Sequence, residues 1–289
     1  VKAIEKNPEN PDYGQILGIA YKTKEGKIIE NAGRPFEDVN NFPKMPYHLV
    51  DVERYLINTR YASRTLNYIT SQGCPYRCSF CCEVKVFKRR WSALKAEMVI
   101  EEVSELVNKY GVNGLIIDDS NFFADERRVQ AICKGFIEKK LNVKWGAVNG
   151  RAPTLRRLKP ETWELCRDAG MAGILIGAES GSQEVLDFID KDADAEDTIE
   201  AVKLAAKHQI RVTTSTIIGF PTEKMINDPN EIHKQFDINL KLMNDIVSIS
   251  DRNSAQLFVY TPYPGTPMYD ASLKNGFTEP KTLDEWSVY

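Results

Sequence analysis

The chain has 289 residues, is 42% hydrophobic and 27% charged, and carries a net charge of −3. That balance suits one large globular domain or two modest ones and argues against a global electrostatic attraction to nucleic acid. No apolar run approaches the roughly 20 residues of a membrane-spanning helix, and the N-terminus, VKAIEKNPENPDYGQ, lacks the basic and apolar regions of a secretory signal, so a cytoplasmic location is the expectation.

Residues 1–65 differ in texture from the rest. QILGIAYKTKEGKIIEN predicts two short strands about a Lys24-Glu25-Gly26 turn. GRPFEDVNNFPKMPYHLVDVERY carries three prolines and reads as an ordered linker, with Tyr47, Leu49, Val50 and Tyr55 packing on a neighbour. The chain does not begin with Met, which reads as a piece cut from a longer protein. From about residue 66 strands and helices alternate. LNYITSQG is the first strand. Ser92 is placed to cap a helix through Tyr110, with Val99, Val103, Leu106, Val107 and Tyr110 on one face and Gly111 as its stop. GLIIDD, VKWGAV, GILIGA, IRVTTSTIIGF and SAQLFVYTP are the later strands. Between them lie helices in ADERRVQAICKGFIEKK, KPETWELCRDAG, SQEVLDFI, AEDTIEAVKLAAKHQ and DPNEIHKQFDINLKLMND. Six strands alternating with helices require parallel pairing and right-handed crossovers. Their apolar character fits a sheet covered by helices. The fold expected is α/β, a partial (β/α)6 TIM-like barrel over residues 66–270. Residues 271–289 would begin a further segment. Chemistry in such barrels sits at the C-terminal strand ends.

The first strand end holds four of the six cysteines within Cys74–Cys82. Cys74, Cys78 and Cys81 are spaced by three and then two residues. Positions i, i+4 and i+7 also share a helical face, so core cysteines are one alternative. Gly73 and Pro75 argue for a loop instead. A zinc site wants four ligands and is the second alternative. Three thiolates from one loop suit a 4Fe–4S cluster that leaves one iron open to substrate. Without a secretory signal, clustered thiols favour metal over disulfides.

GCPYRCSFC resembles the signature of the radical S-adenosylmethionine (SAM) enzymes, a likeness that covers roughly Leu66 to Asp270. The resemblance implies a cluster on Cys74, Cys78 and Cys81 and SAM chelated on the open iron by its amino and carboxylate groups. Reduction then cleaves SAM to a 5′-deoxyadenosyl radical that abstracts hydrogen from carbon. Phe80 would lie near the adenine. DDSNF, with Asp118 and Asp119, falls where relatives present polar groups to the methionine amine. The Gly-Gly-Glu common there is absent, and both aspartates could instead cap the next helix. Arg151 stands at the third strand end in register with arginines of related members; its alternative is a salt bridge. Glu179 follows an apolar run and is costly to bury without a partner; a ribose diol would be one. The resemblance places Glu179 and Ser180 against SAM's ribose and methionine. Lys191 falls where relatives put a cation near the SAM carboxylate, and an exposed lysine is its plain alternative. TSTIIGFPTE, with Ile217 and Gly219, resembles the segment that packs the adenine.

YTPYPGTPMYD resembles the ending of a subgroup that includes methylthiotransferases and cobalamin-binding members, and ILGIAYKTKEG onward resembles a linker from a cobalamin-binding domain. The resemblance implies methylation or cyclisation of a small-molecule or lipid substrate and an electron donor such as flavodoxin or ferredoxin. Cobalamin is left open as a third cofactor. The alternatives are a methylthiotransferase acting on RNA or protein, and a non-catalytic iron–sulfur or zinc module. KVFKRRW would be the basic patch if RNA were bound. Cys133 and Cys166, far apart in sequence, give no sign of a second cluster.

Overall fold

In a computed structural model, residues 2–9, 11–228 and 230–288 are described. The chain divides into two units after Asn41. The first holds helix α1 (Lys2–Lys6) and the expected hairpin, β1 (Ala20–Lys22) paired antiparallel with β2 (Ile28–Glu30). Gly26, at φ +86°, makes the turn by donating its N–H to the Thr23 carbonyl.

The second unit opens with two 3-10 turns, Tyr47–Leu49 and Val52–Tyr55. Tyr47 packs on the core, but Leu49, Val50 and Tyr55 are exposed, contrary to expectation. With three residues per turn, only one side of such a helix faces inward. The barrel follows: β3 (Thr65–Tyr68), β4 (Ser71–Gly73), α2 (Cys82–Phe87), β5 (Trp91–Ala93), α3 (Ala96–Tyr110), β6 (Gly114–Ile117), α4 (Glu126–Glu138), β7 (Lys144–Gly146) and β8 (Val148–Gly150). It continues with α5 (Ala152–Arg157), α6 (Pro160–Asp168), β9 (Gly173–Glu179), α7 (Gln183–Phe188), α8 (Ala195–Lys207), β10 (Arg211–Ile218), α9 (Glu223–Asn227), α10 (Glu231–Ile249), β11 (Ser254–Val259), α11 (Pro267–Lys274) and α12 (Leu283–Trp286).

Two parallel sheets, β3-β6-β7 and β8-β9-β10-β11, meet through a parallel bridge between Trp145 and Met171. The predicted third strand therefore exists in two pieces. Ala147, at φ +57°, separates them, so that β7 pairs with β6 and β8 with β9. Six strand positions run in sequence order as a partial barrel. Its core holds Leu106, Leu115, Ile132, Trp145, Leu155 and Ile174.

Three local expectations are corrected. Ser92 is not the N-cap of α3: it pairs with Gln72 in the antiparallel β4–β5 pair, and α3 starts at Ala96 behind Lys95. The first strand breaks between Tyr68 and Ser71, where Asp119 takes over the backbone N–H groups. β10 alternates buried and half-buried residues, and β11 at the sheet edge leaves Phe258 and Val259 exposed. An edge strand has helix cover on fewer sides, so the continuous apolar pattern holds best for β9. No helix among the described residues is long and apolar enough to cross a membrane.

Candidate functional site

The cysteine loop leaves β4 at Gly73, whose φ is +78°. A Cβ there would run into the Arg90 carbonyl oxygen and the Phe87 ring, so glycine is required on both counts. Asp119, fully buried at the end of β6, accepts from the N–H and hydroxyl of Thr70 (both 2.6 Å) and of Ser71 (3.0 and 2.7 Å). It thereby braces the strand that carries the loop. Ser79 N–H donates to the Ile189 carbonyl (2.9 Å), and Met268 N–H donates to the Ser79 carbonyl (3.2 Å). The loop is thus stitched to the end of α7 on one side and to the PGTP segment on the other. Cys74, Cys78 and Cys81 are half-buried on this loop; Cys82 is exposed in the first turn of α2. Burial pushes the Cys74 thiol up and the Cys81 thiol up to about 12. Iron would displace those protons and reverse both shifts. No trio of His, Cys, Asp or Glu among the described residues is drawn close enough to grip a single ion.

A charged wall stands beside the loop. At the end of β9 the register with β10 slips between Ser215 and Thr216, and Glu179 takes φ +58°. Left-handed backbone at a non-glycine residue costs on the order of 1–3 kcal/mol and is concentrated at functional sites. Glu179 stands two residues on from Gly177, and a Cβ on Gly177 would collide with its carboxylate. In the space so left, Lys191 Nζ meets Glu179 Oε1 at 2.5 Å, both side chains 8% exposed. Burial alone would push the Lys191 pKa down; Glu179, helped by Cys78, holds it above the ordinary lysine value. Lys191 is therefore not the exposed lysine of the plain reading. Nor does Arg151 form a salt bridge among the described residues. Its guanidinium lies 3.6 Å from the Tyr76 ring centroid and donates to the Asp192 carbonyl (3.3 Å), while its buried Nε has no partner among the described residues. Arg77, also on the loop, makes a bidentate pair with Asp192 (3.1 and 2.9 Å).

The third wall is apolar. Phe80 meets Phe220 edge-on at 5.5 Å, Phe220 meets Tyr260 at 5.1 Å, and Ile189, Met268 and Ile217 belong to the same cluster. Gly219 follows at φ +88° and donates its N–H to Gln235 Oε1 (3.3 Å). Asn239 of α10, fully buried, accepts from Gly181 N–H (2.9 Å) and the Ser180 hydroxyl (3.3 Å) and donates to the Ile217 carbonyl (3.1 Å).

Residues 68–232, more than half of the chain, match the Radical SAM superfamily. The chain belongs to that superfamily. It is 29% identical over 261 residues to an uncharacterized methyltransferase of Pyrococcus horikoshii, covering 90% of this chain and 52% of that protein. It is 25% identical over 273 residues to the anaerobic magnesium-protoporphyrin IX monomethyl ester cyclase of Rubrivivax gelatinosus, covering 93% of this chain and 46% of that one. The chain thus spans about half the length of these curated relatives. Among solved structures, the radical SAM methyltransferase TsrM of Kitasatospora setae, with cobalamin and a [4Fe-4S] cluster bound, superposes with a TM-score of 0.66 at 18% identity, over 93% of this chain and 50% of that one. At that identity the likeness is one of fold.

Radical SAM proteins work with a 4Fe–4S cluster and SAM, and the residues here fit both. Three thiols of one rigid loop stand free, and each cubane ligand takes a different iron, so they need not converge on one point. The buried charges and the orphaned Arg151 Nε suit a zwitterionic ligand. The structure brings together Cys74, Cys78, Cys81, Arg151, Glu179 and Lys191, and beside them Phe80, Ile217 and Gly219. Ser180 is spent on Asn239 and on Ser182 N–H. Asp119 is turned inward with both oxygens engaged. Asp118 is exposed and accepts from Asn67 (2.7 Å). Neither aspartate caps α4; Asp125 does.

Sequence reasoning passed over Tyr76, Gln235, Asn239 and Asn121. Asn121 is 1% exposed, and neither amide atom of its side chain has a partner among the described residues. A polar DDSN run directly after an apolar strand was the available signal for it; for Asn239, mid-helix and far along the chain, there was none. KVFKRRW folds back on the site, with Arg89 donating to the Pro75 carbonyl (3.3 Å). Cys133 and Cys166 meet at 3.8 Å between α4 and α6, buried, but two thiols fall short of a cluster's ligand set.

Proposed function

We propose that this chain is the catalytic core of a radical SAM enzyme that methylates or cyclises a small-molecule or lipid substrate. Bound to it, the cluster and SAM supply one-electron cleavage of SAM and removal of hydrogen from an unreactive carbon. The observation that carries the reading is the buried Lys191–Glu179 pair standing beside a loop of three free thiols.

Cys74, Cys78 and Cys81 hold the cluster. Glu179 Oε1 is occupied by Lys191, and the other carboxylate oxygen would accept from a ribose hydroxyl. Lys191 and Arg151 supply positive charge for the SAM carboxylate, a role the desolvated site strengthens. Phe80 and Ile217, with the Gly219 backbone, would pack the adenine. Asp118 stays a candidate for a polar contact at the β6 end. Asp119 and Ser180 act as braces. The chain's contribution is position and exclusion of water. Similarity to the Rubrivivax cyclase and the Pyrococcus methyltransferase supports the reaction class. The fold shared with a cobalamin-bound methyltransferase supports cobalamin as a third cofactor; none of the residues above is assigned to it. A flavodoxin- or ferredoxin-type donor would supply the electron.

Anaerobic reconstitution tests this. The expected result is 4Fe–4S stoichiometry in iron and sulfide, SAM-dependent change in the cluster's spectrum, and reductive release of 5′-deoxyadenosine. Zinc in place of iron, with no uptake of SAM, would overturn it.

A further inference from the structure

At the opposite end of the barrel lies a cavity of about 380 Å³ whose lining includes Arg60, Lys144, Arg167, Arg211, Arg252 and His208. Five permanent cations around one concavity are unexpected in a chain of net charge −3. Their partners do not neutralise them. Among the described residues only Arg167 has a carboxylate, Asp168 at 2.8 Å, and that pair is half-exposed. Arg252 donates to the Gln209 carbonyl (3.4 Å), and Arg60, Lys144 and Arg211 make no side-chain bond among the described residues.

Basic side chains gather at helix C-termini to offset the dipole, and that accounts for part of the cluster. Arg167 lies in the last turn of α6 and Arg252 shortly after α10. It does not account for the rest. Arg60 is in the loop before β3, and Lys144 and Arg211 are the first residues of β7 and β10. Like charges drawn together without partners destabilise a fold unless something anionic sits among them.

A second, independent feature points the same way. His208, 7% exposed, lines the cavity and stacks on Trp163 (5.9 Å, 13° between planes), and its buried Nδ1 has no hydrogen-bond partner among the described residues. Nδ1 has no solvent-exposed surface, so an anion in the cavity would act on this ring through its charge, favouring the imidazolium, and not by a direct bond to Nδ1.

We infer that this cavity at the N-terminal strand ends is a binding site for a small polyphosphate anion, free or carried by a nucleotide. Guanidinium groups present paired donors that match phosphate oxygens, and Lys144 adds a point charge. The site is separate from the SAM-binding end, because strand direction puts Lys144 and Arg211 at the far termini from the cysteine loop and Glu179.

Calorimetric titration of the whole chain with inorganic pyrophosphate, and separately with ATP, tests it. Saturable one-to-one binding is expected, weakened at least tenfold in an Arg60→Gln/Lys144→Gln/Arg211→Gln variant and unchanged in Cys78→Ala. Equal affinity for the two probes would identify free polyphosphate as sufficient, and tighter ATP binding would identify a nucleotide. In both cases the His208 imidazole pKa, followed by NMR, should rise on binding. No saturable binding, affinity in the triple variant within twofold of wild type, loss of binding in Cys78→Ala, or tighter binding of a single-stranded oligonucleotide would each overturn the assignment.

Discussion

The two ends of this barrel handle charge in opposite ways. At the C-terminal strand ends Lys191 and Glu179 are buried, opposite in sign and 2.5 Å apart. At the N-terminal ends Arg60, Lys144, Arg211 and Arg252 are alike in sign, open to solvent or half-buried, and have no carboxylate among the described residues. The first arrangement closes within the protein, and Arg151 Nε beside it stays unpartnered among the described residues. The second is incomplete until an anion enters. A desolvated pair is sensitive to removal of either partner, whereas solvated cations tolerate neutralisation. The comparison can be broken at either end.

The largest effect is expected at the loop beside the pair. Cys78→Ala should abolish cluster assembly and SAM cleavage while far-ultraviolet circular dichroism stays as in wild type, since Cys78 is half-buried and outside the core. Full cleavage by that variant would remove the cysteines from the site. Next comes Lys191→Met, which strands Glu179 as an unpaired buried carboxylate and should cost about 3–5 kcal/mol in urea unfolding. Adding Glu179→Gln should restore much of that stability but not SAM binding. A double variant as unstable as the single one would show that the pair is not coupled. Asp119→Asn is a smaller lesion. An amide can accept on one side only, so two of the four donors at Thr70 and Ser71 lose their acceptor, and about 1–3 kcal/mol is expected. Loosening of the β4 end should also lower the yield of reconstituted cluster.

The same contrast separates what the sequence reveals from what it hides. Cys74, Cys78 and Cys81 are legible because their spacing is local and their chemistry rare. The barrel is legible because apolar strands and amphipathic helices alternate and each carries its own signal. Glu179 is marked by the oddity of a carboxylate after GILIGA. What escapes is whatever depends on distant parts meeting. Gly73 could be read as a turn, but not the Arg90 carbonyl that forbids a side chain there. The β4–β5 hairpin overrode a plausible cap at Ser92 because strand pairing across the loop outweighs one side-chain hydrogen bond. Asp118 and Asp119 read alike, yet one is exposed and the other holds four donors, because successive residues at a strand end point opposite ways. The cation cluster was invisible for the same reason: its members come from residues 60, 144, 167, 211 and 252, each an ordinary surface residue in its own stretch.

The smallest effect is a pH dependence confined to one end. Burial, with Arg167 and Lys207 nearby, holds the His208 pKa below its ordinary value; Glu164 and Asp168 oppose this but do not win. The unfolded chain then binds a proton that the folded chain does not, in the window from the depressed folded value up to about 6.5. Stability should accordingly fall as pH drops from 7.5 to 5.5. His208→Gln should fall less over the same interval, the difference isolating this group from carboxylates common to both proteins. Lys191 adds nothing there. Its folded pKa is raised above an unfolded value of about 10.4, so its contribution is whole at and below neutral pH and fades only as pH rises through the higher folded value. Saturating pyrophosphate sharpens the contrast, because an anion beside His208 favours the imidazolium and should flatten the wild-type profile toward that of the variant. If wild type and His208→Gln lose stability in parallel without ligand, the buried imidazole is not the group that titrates.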